Sequence, residues 1–169
     1  MNILQTSTSE FPAIIQPSVV VKGGLSKFTQ EITIRQHRLM ADEPSSSGGG
    51  DLGPTPYEFL LTALGACTSM TLAMYARRKN WPLKGVVVRL NHARIHAQDC
   101  AECETEAGML DRIDCEIELE GSLTPDQELR LLDIAGKCPV HRTLTSEVNI
   151  RWWARKGQFA KRSDGSARR

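Results

Sequence analysis

The sequence predicts an α+β fold, and three features of the chain lead to this prediction. The predicted elements follow the order β-β-β-α-β-β-α-β rather than a regular alternation of strands and helices. A long helical segment in the middle of the chain is apolar around almost its whole circumference. The segments on either side of it contain stretches in which apolar and polar residues alternate, as in half-buried antiparallel strands.

The length of 169 residues is suited to one domain with a substantial core. We expect a flexible segment at 1–17, a domain at 18–154 and a basic, flexible tail at 155–169. The net charge of +1 predicts neither a nucleic-acid partner nor a membrane surface. The N-terminus lacks the pattern of a signal peptide, and five cysteines is an odd number for a disulfide framework. These features predict a cytoplasmic protein.

The first part of the chain is predicted to form three short strands. Residues rich in β-branched side chains at 18–21 and 27–34 flank Gly23 and Gly24, which predicts a hairpin. Residues 37–40 are expected to add a third strand. The Ser- and Gly-rich segment 42–51 is predicted to be a flexible loop with nothing to bury.

The central helix has a clear start and a clear end. Thr55, Pro56 and Glu58 form a capping box with proline at the first helical position. The helix is expected to run for about 24 residues, to end in three cations at 77–79, and to be stopped by Pro82. Because it is apolar all round, we expect it to be buried against a sheet and a second subunit.

Two more strands, a second helix and a last strand complete the prediction. Residues 85–97 and 113–119 alternate as strands, and the alternation places Cys115 in the core. A second capping box begins a helix at Thr124 that is expected to close at Cys138 and to be ended by Pro139. The last strand is predicted at 146–153.

Three sequence stretches resemble the family of osmotically inducible protein C and the organic hydroperoxide resistance proteins. They are GPTPYEFLLTALGACTSMTL around Cys67, CPVH around Cys138, and HRLMADEP before the Gly-rich loop. The resemblance extends over roughly 19–152. The resemblance implies an intertwined homodimer in which antiparallel sheets from both chains wrap around the long central helices. The best-known members of this family are thiol-dependent peroxidases.

The resemblance also implies a catalytic cycle. The thiolate of Cys67 would attack an organic hydroperoxide and become a sulfenic acid, and Cys138 would condense with it to a disulfide. An external dithiol reductant would restore both thiols by exchange. No cofactor is implied. The cycle requires a positive group that lowers the pKa of Cys67, because apolar surroundings raise the pKa of a thiol.

The sequence departs from the peroxidases of the family at two positions. Leu25 stands where these have an arginine, and Tyr57 stands where they have a glutamate. Glu58 lies one residue after Tyr57, and His37 and His141 lie in motifs of this subgroup. These three residues are further candidate catalytic residues, and His141 is the candidate for proton transfer. The departures leave a second function open, a non-catalytic homodimer that binds an apolar small molecule in the family's interfacial pocket.

One motif falls outside this scheme. His92, His96, Cys100 and Cys103 follow each other as H-x3-H-x3-C-x2-C, and their side chains are of the types that bind zinc. The two histidines are four residues apart along a strand, which is not the usual tight chelate, and the loop that follows is acidic. A zinc site, an exposed redox dithiol and a polar loop with incidental cysteines all remain open, and we expect no stoichiometric metal.

Overall fold

The computed structural model describes residues 18–24, 27–101, 103–105 and 107–152. The predicted end segments 1–17 and 155–169, as well as Leu25, lie outside the described residues. The described part confirms the α+β fold. Its elements, in chain order, are β1 (Val19–Gly23), β2 (Gln30–Ile34), β3 (His37–Ala41), α1 (Pro56–Lys79), β4 (Leu83–His96), β5 (Met109–Gly121), α2 (Pro125–Ala135) and α3 (Pro139–Leu144).

The first three strands form an antiparallel sheet in the order β1-β2-β3. The predicted hairpin is confirmed, and Val19 pairs with Ile34 at one end of it. At the other end Gly23 pairs with Gln30, so the connection between the strands is longer than the predicted turn of two glycines. The third strand forms as predicted, with His37 opposite Ile34.

The loop after β3 is folded around one buried carboxylate, so the prediction that it has nothing to bury is wrong. Asp42 is almost completely buried. It accepts hydrogen bonds from the backbone N–H groups of Glu43, Gly50 and Leu52 and from the hydroxyl of Thr29. Burial by itself would raise the pKa of Asp42, but these hydrogen bonds stabilise the charged form and together lower it. Asp42 therefore holds in place the segment that leads into α1.

Helix α1 begins and ends as the sequence predicts. Thr55 Oγ1 accepts a hydrogen bond from the N–H of Glu58, and the Glu58 carboxylate accepts one from the N–H of Thr55. Pro56 occupies the first position, and the last turn holds three cations. Asn80 then adopts the left-handed conformation and closes the helix before Pro82.

Strands β4 and β5 form a long antiparallel hairpin that packs on α1. The helix and the strand lie close together at Gly65, where a Cβ atom would lie 2.7 Å from Leu90 Cδ1, so a larger residue at this position would require the Leu90 side chain to move. The main core lies further along α1, where α2 packs against the same helix. Its fully or nearly buried members are Leu72, Ala76, Leu131 and Ile134.

The end of the described chain differs from the prediction in two ways. Helix α2 ends at Ala135, and Pro139 begins a further helix rather than ending one. This agrees with the preference of proline for the first position of a helix, where its missing N–H has no consequence. In addition, residues 146–152 form no strand, because no other described strand lies beside them. Trp152 is 90% exposed, and Trp153 lies outside the described residues.

Much of α1 is uncovered within one chain. Met70 and Met74 are 65% and 71% exposed although they lie in the middle of the apolar helix. By length and composition alone the helix is long and apolar enough to cross a membrane, and 28% of its most apolar stretch of 18 residues is buried. The uncovered face has the composition of a buried surface rather than of one in contact with water.

Candidate functional site

Cys67 and Cys138 lie together in the structure although 71 residues separate them in the chain. Cys67 lies near the middle of α1, and Cys138 immediately precedes α3, which packs on α1. Thr68, the residue after Cys67, donates a hydrogen bond from its hydroxyl to the sulfur of Cys138 at 3.5 Å, and Cys67 is among the groups that lower the pKa of Cys138. Both cysteines are free thiols, with Cys138 fully buried and Cys67 partly exposed. The fold therefore brings the two predicted cysteines into one site.

The hydrogen bonds at this site converge on the sulfur of Cys138. Thr68 Oγ1 donates to Sγ at 3.5 Å, and the backbone N–H of His141 donates to it at 3.3 Å. Burial by itself would raise the pKa of Cys138. Polar interactions of the sulfur outweigh this effect, so the pKa is lowered overall. Their partners are Thr68, Cys67 and the backbone N–H groups of His141 and Val140. The groups that stabilise a thiolate at Cys138 are thus uncharged hydrogen-bond donors.

This arrangement differs from the expectation that Cys67 receives the stabilising group. Within the described residues no hydrogen bond is donated to the sulfur of Cys67, and the carbonyl of Cys67 accepts one from Thr71 Oγ1 at 2.7 Å. The sequence did contain a signal for the observed arrangement. A cysteine directly before Pro139 stands at the N-cap of a helix, where a side chain accepts from backbone N–H groups. Thr68, which the sequence analysis did not single out, supplies the hydroxyl.

A cavity of about 410 Å³ lies beside Cys138, between α1, β5 and the α2–α3 segment. Thr68 and His141, which both contact the sulfur of Cys138, also line the cavity. The Nδ1 atom of His141 is buried and has no hydrogen-bond partner among the described residues. His141 therefore has a side-chain nitrogen without a described partner, and its backbone N–H contacts the sulfur of Cys138.

The cavity is also lined by a third thiol, that of Cys115. The strand alternation is as predicted, but the side chain of Cys115 is exposed in the single chain, so its prediction as a core residue is wrong. Desolvation, the charge of Asp114 and the nearby Cys138 all raise the pKa of Cys115. Cys115 is therefore a neutral thiol at neutral pH.

The other two candidate catalytic residues are placed elsewhere. His37 is exposed at the start of β3, and no described hydrogen bond links it to either cysteine. The carboxylate of Glu58 is exposed and is engaged in the cap of α1. The structure thus brings Cys67, Cys138 and His141 together, and it does not bring His37 or Glu58 to them.

Tyr57, at the family's glutamate position, makes a defined contact. Its ring stacks on that of His92 with 4.4 Å between the ring centroids. His92 Nε2 in turn lies 2.9 Å from Asp111 Oδ1. The aromatic ring therefore anchors the start of α1 to the β4–β5 hairpin.

The C-x-x-C segment forms a disulfide between Cys100 and Cys103, with 5.5 Å between the Cα atoms, in the loop between β4 and β5. Among residues 18–24, 27–101, 103–105 and 107–152, no group of three histidine, cysteine or acidic side chains is arranged to hold a metal ion. His92, the first residue of the motif, is engaged by Tyr57 and Asp111.

We expect protein purified without chelator to contain no stoichiometric zinc, because two of the four ligands are consumed in the disulfide and the acidic loop supplies no further soft ligand. Elemental analysis checks this. One zinc per chain in the wild type, lost on Cys100→Ser, would contradict it.

Comparisons with known proteins agree with the α+β fold described above. Residues 48–152 match the family model described as OsmC-like protein. A comparison with curated proteins finds no match. Among solved structures, the chain is similar to an osmotic stress induced and detoxification response protein, described as putative, from Psychrobacter arcticus, with a TM-score of 0.62 and 15% identity over 79% of this chain and 91% of that one.

Two other solved structures are similar to a comparable extent. One is an OsmC-like protein from Mycoplasma pneumoniae, with a TM-score of 0.61 and 18% identity over 78% of this chain and 89% of that one. The other is an organic hydroperoxide resistance protein OsmC from Legionella pneumophila, with a TM-score of 0.56 and 18% identity over 79% of this chain and 91% of that one. At these identities the likeness establishes the fold.

Proposed function

Because the chain belongs to the OsmC-like protein family, we propose that it is a thiol-dependent peroxidase that reduces organic hydroperoxides and acts in defence against oxidative stress. The observation that carries the proposal is that Cys67 and Cys138, both free thiols, lie at the same contact between α1 and α3, where Thr68 bonds the sulfur of Cys138. Two free thiols at one site are the minimum that a cycle of sulfenic acid and disulfide requires. The likeness to the Legionella pneumophila protein, which is named for organic hydroperoxide resistance, supports the same class of substrate.

In the proposed cycle Cys67 is the thiol that meets the peroxide, because it is partly exposed whereas Cys138 is fully buried. Its sulfur attacks one peroxide oxygen, the O–O bond breaks, and an alcohol leaves. The resulting sulfenic acid condenses with Cys138 to a disulfide and releases water. An external dithiol reduces this disulfide by two exchange steps and is itself oxidised.

The surroundings of the pair are suited to a substrate with an apolar body. The cavity beside Cys138 is lined by the apolar side chains of Leu64, Ile113 and Ile117. We assign His141 the role of a proton donor to the leaving alkoxide, because its buried Nδ1 atom has no partner among the described residues. His37 and Glu58 have no role in this scheme, and it requires no cofactor.

The proposed assembly is a cytoplasmic homodimer in which the uncovered face of α1 is buried. We expect sedimentation at micromolar concentration to give a dimer, because Met70 and Met74 are largely exposed in a single chain. Met74→Glu should shift the protein toward monomer, whereas Lys79→Glu, at the charged end of the same helix, should not. A stable folded monomer of the wild type would contradict this assembly.

The proposed function is tested by the consumption of cumene hydroperoxide by purified protein in the presence of a dithiol. We expect turnover that requires both the protein and the reductant, and a slower reaction with hydrogen peroxide, which lacks an apolar body. Absence of turnover above the rate of the dithiol alone would overturn the proposal.

A second function is favoured by one specific contact. Tyr57 replaces the family's glutamate with a ring that is stacked on His92, so the start of α1 is held by packing. This favours a homodimer that binds an apolar small molecule without turnover. The same assay distinguishes the two functions, because a binder leaves cumene hydroperoxide unchanged with and without Cys67→Ser.

A further inference from the structure

The loop between β4 and β5 contains two of the five cysteines of the chain, and the proposed peroxidase cycle uses neither of them. Cys100 and Cys103 are joined in a disulfide, with 5.5 Å between their Cα atoms. Cys103 is exposed and Cys100 is partly exposed. An accessible sulfur of a disulfide is open to attack by a thiolate from outside the protein. The loop therefore presents a bond that can take part in thiol–disulfide exchange.

This disulfide is not needed to hold the loop in place. Strand pairing extends to His96 and Met109, so the two ends of the loop are already joined. The N–H of Ala97 also donates to the carbonyl of Gly108 at 2.9 Å. A disulfide stabilises a fold mainly by restricting the unfolded chain, and a bond between residues only three positions apart restricts it little. A redox role therefore accounts for this disulfide better than a structural one.

The loop is strongly acidic. Between positions 97 and 108 the sequence has four carboxylates and no lysine, arginine or histidine. Asp99 and Glu104 are exposed and directly flank the two cysteines in the chain. Neither carboxylate forms an ion pair with another described residue. Because unpaired charges attract ions of the opposite sign, this loop attracts a positively charged thiol and repels a negatively charged one.

We propose that the loop with Cys100 and Cys103 is a second redox site, at which the protein exchanges its disulfide with thiols that carry a positive charge near the attacking sulfur. The exposed disulfide supplies the reacting bond, and the acidic side chains beside it select the partner. The proposal does not rest on the proposed function, because the exchange involves neither a hydroperoxide nor the other cysteines of the chain.

The loop is distant from the pair of Cys67 and Cys138 within one chain. Cys115, which lies near Cys138, is six residues along β5 from the start of that strand at Met109. This separation corresponds to about 20 Å of extended chain. The two sites therefore react independently within one chain.

The exchange balances in atoms and electrons. An external thiolate attacks the sulfur of Cys103, the more exposed of the two, and the bond to Cys100 breaks as a mixed disulfide forms. A second external thiolate attacks the external sulfur of this mixed disulfide and releases Cys103. The loop gains two electrons, and its two thiolates take up the two protons that the external thiols lost. Two external thiols become one disulfide, and the reverse reaction restores the loop.

The test reads the redox state of the loop from the tryptic peptide 95–112, which contains both of its cysteines. Folded protein is incubated with a thiol, treated with an alkylating reagent and digested, and the peptide carries two alkyl groups only where the disulfide was reduced. We expect cysteamine to reduce the loop in the folded protein, and cystamine, its disulfide, to oxidise the loop again. A disulfide that resists cysteamine until the protein unfolds would overturn the proposal, as would a reduced loop that cystamine leaves unchanged.

The second part of the test concerns the charge of the partner. Cysteamine, mercaptoethanol and mercaptoethanesulfonate are cationic, neutral and anionic thiols, and their rates of reduction are compared at equal concentrations of thiolate. We expect the rate to fall in this order, by about tenfold in total at low ionic strength. The range should narrow at about 1 M salt, where charges are screened beyond about 3 Å. Equal rates for the three thiols at low ionic strength would overturn the preference for a cationic partner.

The double variant Asp99→Asn/Glu104→Gln removes two of the four charges of the loop and should bring the three rates to within about threefold of one another. Glu31→Gln/Glu147→Gln is the matched control, because it removes the same charge from exposed positions outside the loop. This control should leave the tenfold range unchanged. An equal narrowing in both double variants would show that the net charge of the protein sets the order, and it would overturn the assignment of the preference to the loop.

Discussion

Replacement of either thiol of the pair by a hydroxyl is expected to reduce the turnover of cumene hydroperoxide by at least about 100-fold. Cys67→Ser removes the attacking sulfur, and a serine hydroxyl at this position is not ionised at neutral pH. Cys138→Ser removes the partner that forms the disulfide, so the sulfenic acid of Cys67 is not resolved. The measurement is steady-state consumption of cumene hydroperoxide with a saturating dithiol.

The matched control is the double variant Cys100→Ser/Cys103→Ser, which removes the disulfide of the β4–β5 loop and leaves the pair intact. It should retain turnover close to that of the wild type. If this double variant loses activity while Cys67→Ser retains it, the catalytic thiols are those of the loop.

Leu131→Ala is expected to lower the free energy of unfolding by about 2–5 kcal/mol. Leu131 on α2 is fully buried against Leu72 and Ala76 of α1, so its truncation removes apolar contacts and leaves a cavity in the main core. Urea denaturation monitored by circular dichroism measures the effect. Wild type and variant must be compared at the same protein concentration, because association contributes to stability.

Leu129→Ala provides the control on the same helix, because Leu129 is 66% exposed. Its effect should be within about 0.5 kcal/mol of zero. A loss of stability in Leu129→Ala as large as that in Leu131→Ala would show that the exposed face of α2 is buried in the assembled protein.

The features of the fold that the sequence predicted correctly are those fixed by local interactions. Thr55 with Glu58 and Thr124 with Gln127 are reciprocal caps within four residues, so the start of each helix could be located from the sequence alone. Strand alternation in β5 likewise gave the correct faces. Pro139 was misinterpreted because proline is compatible with both the end of one helix and the start of the next, and only the path of the chain decides between them.

Features that depend on tertiary neighbours could not be predicted in this way. Residues 146–152 alternate like a strand, but a strand requires a neighbouring strand to pair with, and these residues pair with none of the described strands. The hydrogen bonding of the Cys138 sulfur depends on Thr68, a residue of α1 that is 70 positions from Cys138 in the chain. A thiolate in an apolar helix is usually stabilised by a cation, and the sequence therefore predicted such a cation at Cys67. The structure instead has uncharged hydrogen-bond donors at Cys138.

The most direct test of the account is to identify which cysteines peroxide links. Reduced protein is treated with a stoichiometric amount of cumene hydroperoxide, and its peptides are mapped under non-reducing conditions. We expect a peroxide-dependent disulfide between Cys67 and Cys138 that a dithiol reverses. A link between Cys100 and Cys103 as the sole peroxide-dependent disulfide, with Cys67 and Cys138 still free, would contradict it.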